Sequence, residues 1–358
     1  MSNKFTVGVN IVERTVRLAF CGLGSIGSAA ARLLLDHRTG FDLVGAVTKQ
    51  PEAIGRQLHD VVSANRTSKV VVGDDLSQLL EMQPDVVIYS TGSFLSAVRE
   101  DVERIAAWGS SLVSPCEELA FPFIRDPEYA KHLNATAVRS GATVLGTGVN
   151  PGFIFDGLLA AATGSAWDVT SITGQRVVDV SGFAQNIHLR LGIGYTEKEF
   201  NQGHTDGTIA GHVGFTESIQ LVAERLGMEL DGPVEETFKP MIAEASVSTP
   251  YGGVAAGYTE GFIQKAMGRV GGKPFIELEL LLHLRPTAAG YVTSDRFSVE
   301  GEHPIHLEMR PGMDAILATS AQLVNAIPAI LKAQPGLKTI NDLPAAAAWT
   351  DLSRTMFR

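Results

Sequence analysis

The chain has 358 residues, 45% of them hydrophobic and 19% charged, with a formal net charge of −10 at pH 7. That length exceeds the roughly 150 residues of a typical single domain, so two lobes are expected. The acidic balance and the lack of a dense Lys/Arg cluster argue against nucleic acid or an anionic membrane as partner, and no apolar run approaches the ~20 residues that span a bilayer.

Met1 to Phe20 mixes Lys4, Glu13, Arg14 and Arg17 with its apolar residues, unlike a secretory signal, and a cytoplasmic protein is expected. Residues 16–21 form the first apolar run, and Gly22-Leu23-Gly24-Ser25-Ile26-Gly27 leads from it into a small-residue helix. Further strands are expected at 41–47, 70–72, 86–90, 112–114 and 143–146, with helices at 95–108 and 127–140 between them. Alternation of this kind is the pattern of a Rossmann-type doubly wound parallel sheet, whose ligands bind beyond the carboxyl ends of the strands. After residue 165 the rhythm changes to longer β-rich segments at 169–180, 236–247, 258–270, 274–284 and 297–309, with turns at 271–272 and 302–304. These predict a second, α+β lobe built on a mainly antiparallel sheet and spanning 151–309. A helix at 212–226 interrupts it, and a last helix at 314–333 is expected to return to the first lobe, so that 1–150 and 310–358 make one unit. A further helix is expected at 153–162.

The GxGxxG segment follows an apolar strand and opens a helix, the context in which such glycines let a pyrophosphate approach the backbone. A ligand-free glycine turn is the competing reading. An acid about 20 residues beyond the fingerprint would grip an adenosine ribose. The sequence has Thr48-Lys49 there, with no acid to repel a 2′-phosphate, so NADP is expected over NAD, with NAD still admitted. The competing reading of Lys49 is a solvated loop lysine. Thr91 and Gly92, at the end of the fourth strand, either contact the dinucleotide or cap the next helix.

Glu117 and Glu118 follow the strand at 112–114 and fall at the ligand-binding edge of the sheet. In an extended backbone they point oppositely, so only one reaches the cleft. Apolar neighbours there would raise its pKa toward the range useful for proton exchange, whereas a helix-start acidic pair is the plain alternative. Cys21 and Cys116 are the only cysteines and lie at strand ends, which excludes a disulfide framework. Asn150-Pro151-Gly152 follows the last strand; Asn150 is positioned either for a nicotinamide carboxamide or to cap the next helix. Nine histidines, including His204 and His212, show no metal-ligand spacing, and no catalytic metal is expected.

Taken together, the fingerprint, Ser114-Pro115-Cys116-Glu117-Glu118-Leu119 and Gly146-Thr147-Gly148-Val149-Asn150-Pro151-Gly152-Phe153 resemble the 2,4-diaminopentanoate dehydrogenase family and the native NAD(P)H-dependent amine dehydrogenases, whose cofactor domain is similar to that of dihydrodipicolinate reductases. The resemblance continues through residues 192–200, 211–218 and 335–344, and so covers almost the whole chain. It implies reversible reductive amination of a carbonyl compound with ammonia, carried by NAD(P)H. It also implies a glutamate that handles ammonia and protons, Glu117 with Glu118 in reserve, and a homodimer formed through the second sheet. The expected cofactor contacts are Gly22, Leu23, Gly24, Ser25, Ile26, Gly27, Thr48, Lys49, Thr91, Gly92, Cys116 and Asn150, with Gly148, Asn150, Pro151 and Phe153 at the substrate pocket. Many family members carry an acid where this chain has Thr48-Lys49, so NAD dependence is not carried over. With no paired recognition set for a diamino acid in the sequence, a small aliphatic or cyclic ketone or aldehyde is the expected substrate. A cyclic-imine reductase and a non-catalytic redox sensor are the competing functions.

Overall fold

A computed structural model of the chain describes residues 15–356, apart from Ala184 and the side chain of Asn186. Most of the segment read for a targeting signal lies outside these residues. The first lobe contains β1 (Val16–Cys21), β2 (Phe41–Val47), β3 (Val72–Gly73), β4 (Val86–Tyr89), β5 (Ser111–Ser114) and β6 (Thr143–Gly146), all parallel. Between them run α1 (Ser25–His37), α2 (Leu58–Val61), α3 (Leu76–Glu81), α4 (Leu95–Trp108) and α5 (Pro127–Ser140). The strands read as continuous apolar runs because both faces are covered. Leu18, Phe20, Val86 and Ile88 enter the layer shared with α1, while Ala19, Val87, Tyr89 and Leu112 enter the layer with α4 and α5.

The expected bounds of α4 and α5 are met because their ends carry strong local signals. Gly109 and Gly141 close the two helices in left-handed conformation, and the Asp126 carboxylate caps α5 ahead of Pro127.

The second lobe has α6 (Gly157–Thr163), β7 (Ser171–Asp179), α7 (Gln185–Arg190), α8 (Glu197–Thr205), α9 (Phe215–Arg225), β8 (Glu235–Ile242), β9 (Val247–Thr249), β10 (Gly252–Val254), β11 (Thr259–Val270), β12 (Lys273–His283), β13 (Ser294–Glu300) and β14 (Ile305–Met309). Six of these strands form a sheet in the order β14-β13-β7-β12-β11-β8, antiparallel except for the β7–β12 pair. The expected helix at 153–162 starts only at Gly157, because Asp156 caps it there and the preceding residues are turns. The expected strand at 236–247 is two strands, β8 and β9.

One face of this sheet packs on the helices through Phe155, Phe215, Ile219, Phe262 and Leu278. The other face carries an apolar row, Ile263, Leu281 and Val177, next to a polar one. Register aligns Lys265, Glu279, Gln175, Arg296 and Glu308 in one cross-strand row. Lys265 and Glu279 pair at 2.6 Å and Arg296 and Glu308 at 2.7 Å.

The chain then returns to the first lobe as α10 (Ala315–Lys332), β15 (Gly336–Lys338) and α11 (Leu352–Met356). β15 pairs in parallel with β6 and completes a seven-stranded sheet, a strand too short to read from sequence. By length and composition α10 could cross a membrane; instead Leu323, Val324, Ile327 and Ile330 are buried in the first lobe's core, and the Ser320 hydroxyl donates to the Ile26 carbonyl of α1.

Candidate active site

Two adjoining cavities run along the carboxyl ends of the parallel strands, sharing Thr91. The outer one, about 670 Å³, is lined by Gly22, Thr48, Lys49, Asp74, Asp75 and Arg104. The inner one, about 430 Å³, lies between the lobes and is lined by Gly24, Ser25, Ile26, Gly92, Glu117, Asn150 and His212 among others. Gly22 has φ of +96°, and a side chain there would strike the Ser90 carbonyl; one at Gly27 would strike the Gly22 carbonyl. Gly24 instead faces open space, and α1 begins there with no side-chain cap, leaving its first amides for a ligand. A groove of this kind fits a dinucleotide: the α1 amides for its pyrophosphate, the outer cavity for its adenosine end and the inner one for its nicotinamide.

The acid that sequence reading did not find at β2 has a counterpart one strand over. Asp74 and Asp75, just after β3, share the outer cavity with Lys49. Asp75 spends one oxygen capping α3 at Ser77 N, 2.7 Å away. The strand expected at 70–72 is Val72–Gly73, and the pair beyond it was missed because the acid was sought at the end of β2.

Glu117 and Glu118 lie on a 3-10 turn, Glu117–Ala120, not on extended backbone. The turn still separates their directions. Glu118 points away from the inner cavity: its carboxylate accepts from Leu95 N at 2.7 Å, capping α4, and lies 3.7 Å from Arg125 Nε. Arg125 in turn pairs at 2.6 Å with Glu217 of α9, which is fully buried, and this ties the two lobes together. Glu117 lines the inner cavity. Burial raises its pKa to about 7, with the Ser93 hydroxyl and the Arg190 charge pulling the other way. Near neutrality such a carboxyl is populated both as acid and as base.

The cavity's opposite wall comes from Asn150 and the 209–214 loop. Asn150 Nδ2 lies 2.9 Å from His212 Nε2, and the His212 ring meets Phe215 edge-on at 5.1 Å between centroids. The His212 backbone is held at both ends by the Gln264 amide, at 2.8 and 2.9 Å. Burial and the Arg176 charge push the imidazole pKa down to about 3, so the ring is neutral at pH 7. Arg176 also lines the cavity but is committed to the buried Asp295 at 2.7 Å and to the Met313 carbonyl. Val178, Phe183, Ile187, Leu191 and Leu280 supply an apolar wall. His212 was passed over in the sequence because a lone histidine without ligand spacing carries no metal signal; its flanking glycines, Gly211 and Gly214, both in left-handed conformation, were the available clue to a shaped loop.

Several expected site residues are elsewhere. Leu23 and Cys116 are core residues, 3% and 0% exposed, and burial pushes the Cys116 thiol up to about 12, so neither side chain reaches the groove. Gly148 is buried against Thr319, Pro151 is buried and packs at Gly214, and Phe153 packs into the second lobe's core, leaving only Asn150 of the expected substrate set on the cavity. The tight Gly148–Gly152 turn causes this, since Gly152 N is drawn to the buried Asp156 carboxyl at 2.8 Å.

The fold and this cleft define an NAD(P)-dependent oxidoreductase. Residues 153–358 match the 2,4-diaminopentanoate dehydrogenase C-terminal domain. The chain is 35% identical over 335 residues to the 2,4-diaminopentanoate dehydrogenase of Acetoanaerobium sticklandii, covering 93% of this chain and 94% of that protein. It is 24% identical over 356 residues to an amine dehydrogenase of Streptomyces virginiae, covering 93% and 97%. Its structure is similar to that of the amine dehydrogenase from Mycobacterium smegmatis, with a TM-score of 0.83 at 25% identity, over 94% of this chain and 98% of that one. The chain belongs to the 2,4-diaminopentanoate dehydrogenase family.

Proposed function

We propose that the protein is a cytoplasmic, NAD(P)H-dependent amine dehydrogenase that converts a small ketone or aldehyde and ammonia into a primary amine, and the reverse. The observation that carries this reading is Glu117: a carboxyl raised to a pKa of about 7 in the inner cavity, beside the fingerprint groove. Reductive amination consumes the carbonyl compound, ammonium, a hydride and a proton, and yields the alkylammonium and water. When bound, the nicotinamide supplies the hydride. Glu117 takes a proton from ammonium to free the nucleophile, returns one to the departing hydroxyl of the carbinolamine, and offsets the positive charge of the iminium that follows. The apolar wall from Val178 to Leu280 receives the carbon substituents and keeps water from competing. The names of the relatives in Acetoanaerobium and Streptomyces, which describe amine oxidation, support the same reaction class.

NADP(H) remains the proposed preferred cofactor, with Lys49 as partner of a 2′-phosphate, although Asp74 and Asp75 in the same cavity oppose it and NAD(H) use is part of the proposal. Assembly as a homodimer is proposed through the second sheet's face away from the helices, where the charged row from Lys265 to Glu308 is suited to pairing with a two-fold-related copy. Light scattering at micromolar protein should give twice the chain mass, and a monomer refutes this assembly.

The deciding experiment is a panel of small ketones and aldehydes assayed with and without ammonium, using NADPH and NADH in turn. Oxidation of the cofactor that requires both carbonyl and ammonium is expected. Equal rates without ammonium on cyclic imines point to an imine reductase, and tight cofactor binding with no turnover points to a sensor.

A further inference from the structure

His212 lines the inner cavity together with Glu117, and a buried chain of hydrogen-bonding groups stands behind it. From Asn150 the chain runs inward: Ser218 Oγ lies 3.3 Å from Asn150 Oδ1 and 2.8 Å from Asp156 Oδ2, and Asp156 accepts from the Gly152 and Gly157 amides at 2.8 and 2.6 Å. Asp156 and Ser218 are 1% and 0% exposed. These groups come from both lobes, and they meet the substrate cavity at His212 and Asn150.

The polarity of the chain follows from counting protons. Ser218 has one hydroxyl proton for two oxygen neighbours. Burial raises the Asp156 carboxyl above the usual carboxylate range, while the Gly152 and Gly157 amides and the Ser218 hydroxyl pull the other way. Ser218 Oγ is placed as donor to both Asp156 Oδ2 and Asn150 Oδ1, which turns the Asn150 amide so that its Nδ2 faces His212 and donates to Nε2. Nε2 is then an acceptor, so the single proton of the neutral ring sits on Nδ1. Among the described residues Nδ1 has no protein partner and is not sealed from solvent, and His212 lines the cavity.

We propose that His212 donates a hydrogen bond from Nδ1 to the carbonyl oxygen of the substrate, in the same cavity as Glu117, and that Asn150, Ser218 and Asp156 hold the ring in the tautomer that does so. The proposal rests on the amine dehydrogenase reading and adds a division of labour to it. Glu117 exchanges protons, while His212 polarises the carbonyl without giving its proton up. A neutral imidazole suits this task. It donates a hydrogen bond without the charge that would repel ammonium or the iminium, and the fixed ring needs no reorganisation as charge grows on the oxygen. In the reverse direction the same donor orients the hydroxyl of the carbinolamine.

The test compares two variants. His212→Phe keeps a ring against Phe215 but has no donor, whereas His212→Gln keeps an amide donor. With the cofactor dissociation constant and melting temperature matched to wild type, kcat/KM for the ketone should fall by about 10²- to 10³-fold in His212→Phe, and His212→Gln should recover at least about tenfold of it. A readout independent of turnover is the carbonyl stretch of a ¹³C-labelled cyclic ketone bound with oxidised cofactor and no ammonium. It should shift to lower wavenumber in wild type and in His212→Gln, and not in His212→Phe. ¹⁵N spectra of labelled histidine should show the Nδ1–H tautomer for His212 in wild type. An equal carbonyl shift in His212→Phe, or a proton resident on Nε2, overturns the proposal. A wild type that binds the ketone with the shifted stretch but shows no ammonia-dependent turnover leaves the contact standing and removes the amination reading instead.

Discussion

Glu117→Gln separates catalysis from stability in one substitution, because it keeps the shape of the side chain and deletes its charge. The carboxyl's pKa moves from an ordinary 4.5 to about 7 on folding, chiefly by desolvation. At 1.36 kcal/mol per unit that shift corresponds to roughly 3 kcal/mol of unfavourable burial of the charged form. The sign follows from linkage. A carboxyl with a raised folded-state pKa contributes its relative stability fully below about 4.5 and loses it as pH rises through about 7, so wild type carries the cost of a buried charge above neutrality. The glutamine variant should therefore match wild type near pH 4 and exceed it at pH 8 by up to about 3 kcal/mol. Denaturant titrations at pH 4, 6 and 8 measure this. Amination at pH 8 should fall by about 10²- to 10⁴-fold, with cofactor affinity unchanged. Two outcomes refute the reasoning: a stability difference that stays flat across this pH range, or turnover within tenfold of wild type.

Glu118→Gln should be far milder in turnover, within about tenfold of wild type, and should cost about 1 kcal/mol in denaturation because it weakens the charged cap on α4; collapse of turnover in this variant alone would move the proton-handling role one residue along. Arg125→Met leaves the fully buried Glu217 without its cation and should destabilise the protein by about 3 to 5 kcal/mol, and a loss below 1 kcal/mol by urea titration contradicts the pair's importance. Lys49→Ala should weaken NADPH binding more than NADH binding in equilibrium titrations, and a strong NADH preference unchanged by this substitution defeats the assignment of Lys49 to a 2′-phosphate.

The parallel sheet was readable because its strands are largely apolar and its longer helices are bounded by glycine, proline and aspartate at the positions where their chemistry is needed. The fingerprint was readable for the same reason: Gly22 and Gly27 have neighbours within 3 Å of any side chain. The cleft was less so. Which of Glu117 and Glu118 turns inward depends on a 3-10 turn that two acidic residues in a row do not reveal, and on the Leu95 amide, 23 positions away, that draws Glu118 aside. His212 depends on Asn150, 62 positions away, and on Gln264, 52 positions away. Periodicity reports the local backbone, and neither partner is local. Gly148, Pro151 and Phe153 were misplaced because a glycine-rich strand end resembles a ligand loop whether the glycines meet a ligand or one another.

The return of α10 and β15 to the first lobe has a consequence for the order in which a nascent chain can organise itself. β15 is the edge strand beside β6, and α10 packs on α1 near the fingerprint, so this sheet stays incomplete until residue 338 has left the ribosome. All strands of the second sheet have emerged well before then. The lobe that is interrupted must therefore wait for the lobe that interrupts it, and the dinucleotide groove is the last part of the molecule to acquire its finished wall.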